Sequence, residues 1–269
     1  MESKIRDIKS AVDRIREGAM VAVGGMMNYR RPVRLSLEIV HQRKRHLSLL
    51  TPSAGLETDI MIGAGCADVV RTCYAGLEIF GLAPMFRRKV ETGELRMVEE
   101  TETTLAAGLR ATLGTLAFLP ARCMSGTDLF RVRPDIRKVT CPYTGEQLPA
   151  LPAIKPDIAL IHALAADEQG NAILGGNHAY DLDLAQAATI TIISTETVVR
   201  HEEIVQRGAD IIGFDVDYVV PAKHGAYPTS CYPDYFLDGK VFVEYIKACQ
   251  ENRFDSFVKV LCEKEIGEI

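Results

Sequence analysis

The residues richest in chemistry near the start of the chain fall in one short run. After the apolar stretch MVAV, residues 20–23, come Gly24 and Gly25, then Met26, Asn28, Tyr29, Arg30, Arg31 and Pro32. Glycine has no Cβ, so N–H groups beside such a pair can approach a ligand closely. A helix opening near Pro32 would point its own free N–H groups and a partial positive charge at the same place. That combination suits an anion, or an oxygen that becomes anionic during a reaction. Arg30 and Arg31 would add bidentate donors for a carboxylate or phosphate. The same residues also fit a tight strand-to-helix turn with its arginines in water. A dinucleotide fingerprint is excluded, because GxGxxG needs a third glycine where Asn28 to Arg30 stand.

Three further groups carry chemistry. In IHALAADEQGNAILGG, residues 161–176, His162 ends an apolar run, with Asp167 and Glu168 close behind. His162 could serve as a base or be a satisfied core histidine bonded to a loop. Asp167 reads as the cap of a turn. In AKHGAYPTSCY, residues 222–232, His224, Ser230 and Cys231 share a loop, yet no GxSxG elbow is present and no base is placed beside Cys231. In EETETTL, Glu99, Glu100 and Glu102 precede a helix. They fit a helix N-terminus, and Glu102 could instead point into a cleft. The histidines and cysteines show no zinc-ligand spacing, so no metal is expected.

The elements that must position these groups follow from periodicity. Ile5, Ile8, Val12 and Ile15 repeat at helical spacing and predict a helix over 3–17. Strands are expected at 18–25, 46–51, 68–76, 94–100, 157–163, 189–196 and 216–222. Helices are expected at 32–45, 56–65, 84–93, 103–114, 181–188 and 198–206, and two more, at 240–252 and 254–265, close the chain. Short apolar strands alternating with helices predict an α/β fold: an open, mostly parallel sheet with helices on both faces. The span 120–156 holds Pro120, Pro134, Pro142, Pro149, Pro152 and Pro156, and reads as an irregular excursion from a single domain covering 1–269. In such folds ligands sit beyond the carboxyl ends of the strands, where the groups above fall.

Composition limits the function classes. The 269 residues are 47% hydrophobic and carry a net charge of −5, with no basic stripe for nucleic acid and no apolar stretch long enough for a membrane span. The charged start, MESKIRDIKS, does not read as a secretory signal. Seven cysteines without a CxxC pair read as reduced thiols, so a cytoplasmic location is expected. The runs QRKRH (42–46) and FRRK (86–89) read as solvated faces or helix C-terminal charge.

Taken in order, EGAMVAVGGMMNYRRP, IGAG at 62–65, CYAG at 73–76, FRRK at 86–89, FLP at 118–120, IHALAADEQGN at 161–171 and GAYPTSCY at 225–232 resemble the family I CoA-transferases. The likeness is specifically to the α (A) subunit of glutaconate CoA-transferase-like enzymes, and it runs over nearly the whole chain. The commoner form of the first motif has Phe after the glycine pair and Gly further on, where this chain has Met26 and Arg30. Its Arg-x-Pro form is similar to the glutaconate-type branch.

The resemblance implies the NagB/RpiA/CoA-transferase-like fold and coenzyme A as a substrate carrier, with no bound cofactor. In that family a glutamate attacks an acyl-CoA thioester, and CoA passes through a glutamyl-CoA thioester to a second acid. The glutamate sits in a Ser-Glu-Asn-Gly setting on the β half, and no SENG occurs here. A β (B) subunit is therefore the implied partner, in an α2β2 or larger hetero-oligomer. The carried-over site comprises backbone oxyanion donors around Gly25, Met26 and Met27, a side-chain donor on Asn28, and Arg30 or Arg31 on a distal carboxylate, with Gly24 among the substrate-binding residues. Tyr74, Ala75 and Gly76 would line the pocket, and Glu102 is the candidate acid or base of this half. Alternatives left open are acyl-CoA hydrolysis of the ring-cleaving, retro-Claisen type, decarboxylation of a glutaconyl-type CoA ester, and a non-catalytic ligand-sensing module.

Overall fold

The computed structural model describes residues 2–263. The chain opens extended, with Ile5 bridging Val219 in parallel. Helix α1 (Ile8–Asp13) follows and is shorter than the expected 3–17. Asp7 starts it by accepting the Ser10 N–H at 2.9 Å. Upstream, Lys4 Nζ donates to the carbonyls of Gly213 and Val216, which holds that segment against the sheet edge.

Regular alternation then runs as expected. It gives β1 (Met20–Val23), α2 (Val33–His41), β2 (Leu47–Ala54), α3 (Leu56–Gly63), β3 (Ala67–Ala75), α4 (Pro84–Glu91), β4 (Arg96–Glu99) and α5 (Glu102–Leu113). Thr101 caps α5 in a box with Thr104. Next come β5 (Phe118–Pro120), α6 (Leu129–Val132), β6 (Arg137–Thr140) and β7 (Gln147–Pro152). The chain returns through β8 (Ile158–Ala166), β9 (Ala172–Ile173), α7 (Asp181–Ala187), β10 (Ile190–Val198), α8 (His201–Arg207) and β11 (Tyr218–Pro221), then closes with α9 (Gly239–Gln250) and α10 (Phe254–Glu263). The expected last helix extends to 265, and its final two residues lie outside those described.

The main sheet has the order β11-β10-β8-β1-β2-β3-β4, and every neighbouring pair along it is parallel. Strand β9 adds to β8 antiparallel. Both faces are covered, as the period of two demands. Val21, Val23, Leu47 and Leu49 pack with Val12 of α1 and with Leu35 and Ile39 of α2. The alternate residues Ala22 and Leu50 pack on Leu105 and Leu109 of α5 and Leu184 of α7. Helices α9 and α10 form an outer layer, with Phe242, Tyr245, Phe254 and Leu261 against Val33, Leu56 and Ile60.

The proline-rich span departs from expectation. It is not irregular: β5, β7 and β6 form a three-stranded antiparallel sheet. Pro120, Pro149 and Pro152 lie inside these strands. Proline lacks the N–H that a ladder uses, which is why such a run reads as broken. Its carbonyl still accepts, and the Ala121 N–H donates to the Pro149 oxygen at 3.1 Å. A buried charge network ties this sheet to the main one. Glu100, just past β4, pairs with Arg71 of β3 at 2.6 Å and with Arg133 at 2.8 Å, and Arg133 also holds Asp135.

Candidate active site

Strand β1 is central, and the turn after it opens at the carboxyl edge of the sheet. Gly24 donates to the Leu160 carbonyl at 2.9 Å, continuing the ladder toward β8. Only glycine fits here, because a Cβ would lie 2.4 Å from Asp181 Oδ1. Gly25 has φ +81°, and a Cβ there would lie 2.6 Å from the Arg30 carbonyl oxygen. Met27 and Arg30 also take positive φ, at 53° each. Positive φ strains residues that have a Cβ, so it persists only where surrounding contacts over-determine the turn.

Those contacts are ionic. Asp181, at the start of α7, accepts the Gly25 N–H on Oδ1 at 2.7 Å and the Arg30 guanidinium on Oδ2 at 2.6 Å. Arg30 also donates to the carbonyls of His162 and Asn177. Arg31 turns the other way. It donates to the Gly25 carbonyl at 2.9 Å, to Thr51 Oγ1, and to Glu57 of α3 at 2.5 Å. Arg30, Arg31 and Asp181 are all 0% exposed and Glu57 is 1% exposed. The expectation that Arg30 and Arg31 meet a substrate carboxylate is therefore corrected. Each cation is buried on a carboxylate of its own chain, since burying a guanidinium without a counter-ion is prohibitive.

The oxyanion donors expected at Gly25 and Met26 need the same correction. The Gly25 N–H ends on Asp181. The Met26 N–H donates to the Tyr29 carbonyl at 3.0 Å, and the Met27 N–H donates to Ser53 Oγ at 2.9 Å. Asn28 differs. Its N–H meets no acceptor among the described residues. Its buried side-chain oxygen has no partner among them either, while Nδ2 donates to Glu78 Oε2 at 2.6 Å. Among the described residues, the turn from Met26 to Tyr29 thus leaves one main-chain N–H uncommitted, that of Asn28.

Register brings the other expected residues alongside. Ser53 pairs with Tyr74 and Ala54 with Ala75 across β2 and β3, and the Gly76 N–H donates to the Ala54 carbonyl. Because Ser53 also holds Met27, the segment Tyr74–Gly76 stands one strand beyond the glycine turn. Glu102 is the exposed first residue of α5, on the other flank of β3. Its main-chain carbonyl accepts from Tyr180 OH at 3.2 Å. The adjacent residues Tyr180 and Asp181 therefore touch Glu102 and the glycine turn respectively. Burial, with Glu100 and Glu102 adding their charge, pushes the Cys73 thiol up to about 12.

His162 proves to be a satisfied core histidine. It is fully buried, with Nδ1 on Ser194 Oγ at 2.8 Å and Nε2 on Glu196 Oε1 at 2.7 Å. Burial lowers its pKa, and this outweighs the neighbouring Glu196 charge. Burial alone would raise the Glu196 carboxyl. Hydrogen bonds from His162, Tyr235 and the His224 N–H outweigh it and hold the carboxyl below its usual range. The fold brings His162, Glu196 and Cys231 ligand atoms within 4.8 Å of one another, which sequence spacing does not signal. Both imidazole nitrogens and the carboxylate already have partners, and burial pushes the Cys231 thiol up to about 12. The cluster reads as a hydrogen-bonded support for loop 224–235 rather than a cation cage or a nucleophile. That loop reaches the turn, where the Arg30 N–H donates to the Ser230 carbonyl and the Ser230 N–H to the Asn28 carbonyl.

Asp181, Glu57, Ser53, Glu78 and Glu196 were not signalled by the sequence. Asp181 shares the first turn of α7 with Asp183, and Glu57 shares that of α3 with Asp59. Acids are favoured there by the helix dipole whatever they touch.

Comparison with known proteins adds a second line of observation. The family model described as coenzyme A transferase matches residues 5–222. An uncharacterised protein of Archaeoglobus fulgidus is 33% identical over 251 residues, which cover 91% of this chain and 56% of that protein, so the chain spans little more than half of it. The α (A) subunit of glutaconate CoA-transferase from Acidaminococcus fermentans is 31% identical over 278 residues, covering 96% of this chain and 87% of that protein. The crystal structure of the Acidaminococcus enzyme superposes with a TM-score of 0.89, over 96% of this chain and 88% of that one. A variant of the decarboxylase AibA/AibB superposes with a TM-score of 0.91 at 31% identity, over 97% of this chain and 100% of that one.

Proposed function

The chain belongs to the coenzyme A transferase family, and from that membership we propose that it is the α-type half of a two-chain enzyme. This enzyme transfers CoA between carboxylic acids, with CoA as substrate carrier and no resident cofactor. The partner subunit supplies a glutamate carboxylate. Attack of its oxygen on the thioester carbonyl pushes electrons onto the carbonyl oxygen, and the CoA thiolate leaves as that oxygen re-forms its double bond. The thiolate then attacks the glutamyl carbonyl of the resulting anhydride and releases the first acid. The glutamyl-CoA thioester hands CoA to the second acid by the reverse steps.

This chain contributes the surface on which the first tetrahedral oxygen settles. The single observation that carries the reading is Asn28: its main-chain N–H has no acceptor among the described residues, in a residue 6% exposed within the turn that follows β1. Gly24, Gly25 and Met26 shape that turn, and Tyr74, Ala75 and Gly76 form the neighbouring wall. One well-aimed donor is worth about 3 kcal/mol of barrier. The seven cysteines are all free thiols, which supports a reducing compartment such as the cytoplasm. No described helix is long and apolar enough to cross a membrane.

A second reading is favoured by Glu102. Its exposure at the same edge would let this half supply its own acid or base, as decarboxylation or hydrolysis of an acyl-CoA requires. The two readings separate on co-expression with the partner subunit. CoA transfer to an added acid, lost when the partner's glutamate is replaced and kept in Glu102→Gln, supports transfer. Loss of CO2 or CoA release without an acceptor, abolished by Glu102→Gln, supports the second. Ordinary turnover by this chain alone removes the split-site reading.

A further inference from the structure

Two buried ion pairs meet at one glycine. The Gly25 N–H ends on Asp181, which pairs with Arg30. The Gly25 carbonyl ends on Arg31, which pairs with Glu57. We propose that Asp181 and Glu57 are positioning residues for the acyl-CoA reaction: they lock the peptide groups on both sides of Gly25 and so fix where the Asn28 N–H points. The inference rests on the site being an acyl-CoA centre.

Stability alone does not account for this arrangement. Desolvating two ion pairs is costly, and apolar side chains of like volume often hold a fold as well or better. Ion pairs do set geometry, because each charged hydrogen bond has a narrow range of length and angle. Here they define a turn with positive φ at Gly25, Met27 and Arg30, a shape that Met27 and Arg30, which carry a Cβ, would leave if unclamped. The clamp also spans the two covering layers. Asp181 comes from α7, on the face of Ala22 and Leu50, and Glu57 comes from α3 on the opposite side. Arg30 and Arg31 are neighbours in sequence, yet they reach these two acids in different directions. Neither acid faces solvent, so a role in binding substrate directly is excluded.

The test uses this chain assembled with its partner subunit. Asp181→Asn and Glu57→Gln keep shape and one acceptor oxygen while removing the charge. Four quantities are read: kcat, KM for acyl-CoA, Tm of the complex, and hydrogen exchange of the peptide spanning 20–32. The expected result is a kcat lowered about 10- to 100-fold per folded complex, with KM changed by less than about twofold and faster exchange in that peptide. A lowered Tm with full kcat in the folded complex would mean a structural role only and overturns the proposal. Should either variant fail to assemble, the double replacement Arg30→Met with Asp181→Leu removes the pair at similar volume. An assembled complex with lowered kcat supports the clamp, and one with full kcat overturns it. A wild-type complex that does not process acyl-CoA removes the underlying reading instead. A working wild type beside unimpaired variants removes only the positioning role.

Discussion

Replacing Gly24 by alanine puts a methyl carbon where Asp181 Oδ1 already stands, at 2.4 Å, and 3.1 Å from Ile161 Cγ1. Position 24 is not among the positive-φ residues, so the change tests the contact and not the backbone. Asp181 cannot swing aside freely, because the Gly25 N–H and Arg30 hold its two oxygens at 2.7 and 2.6 Å. Either β1 moves or the buried pair stretches. Overpacking a tight site costs about 1–3 kcal/mol, and loosening a buried pair adds toward the ~3–5 kcal/mol of breaking one. A total of roughly 2–5 kcal/mol is expected, which for a chain of this size lowers Tm by about 5–15 °C. The assay is thermal unfolding of the complex for Gly24→Ala, Asp181→Ser and the double variant. Serine leaves room for the methyl, so the alanine should cost less in the serine background, by ~1 kcal/mol or more of coupling energy. Additive effects, or a single alanine variant within about 1 °C of wild type, would refute the contact as the reason for glycine.

Two other outcomes follow from buried titratable groups. Burial raises the Asp59 carboxyl to about 6 despite hydrogen bonds from Tyr245 OH and the N–H groups of Phe86 and Met85. Its folded pKa exceeds the ordinary value of 3.8, so the folded state binds the proton more tightly. Stability from this group therefore rises as pH falls from about 6 toward 4, and unfolding of Asp59→Asn measured against wild type should lack that component. Among the cysteines, hydrogen bonds from Thr144 and its neighbours lower the Cys141 thiol, while burial raises Cys66 and Cys249 to about 11 and Cys73 and Cys231 to about 12. Pulsed alkylation at mildly alkaline pH, read by mass spectrometry, should label Cys141 first; faster labelling of Cys231 would contradict its burial.

The parallel sheet was legible because its strands are short apolar runs separated by helices of matching period, as at Val21–Val23, Leu47–Leu50 and Ile158–Ile161. The small antiparallel sheet was not, since its strands carry Pro120, Pro149 and Pro152 and draw stability from the Glu100–Arg133 network beyond their own sequence. At the proposed site, sequence located the turn at Gly24 and Gly25, and register sets Tyr74–Gly76 one strand beyond it. Sequence misassigned Arg30 and Arg31, because a cation beside a glycine turn looks the same whether its counter-ion is a substrate or a carboxylate more than twenty residues away. Glu57 and Asp181 lie 26 and 151 residues from their partners. Only the sheet order, which sets β8 and β2 on either side of β1, brings them to the turn.

That placement changes what the arginines imply about the substrate. With both guanidinium groups committed, a second carboxylate on the acyl group gains no charge-assisted bond from Arg30 or Arg31 unless an ion pair opens. Opening one would strand a buried acid, at ~3–5 kcal/mol, more than one exposed ion pair returns. On the proposed acyl-CoA reading, the turn therefore answers to the thioester carbonyl and not to a second carboxylate on the acyl group. Selection among acyl groups then falls to other surfaces at this edge. The carboxylate of Glu78 holds Asn28 Nδ2, Ile79 follows it in the chain with its side chain exposed, and the exposed Leu82 bridges Gly76. On the same reading, an acyl chain that crosses this patch would bring any second anion to Glu78 at close range, where like charge opposes it.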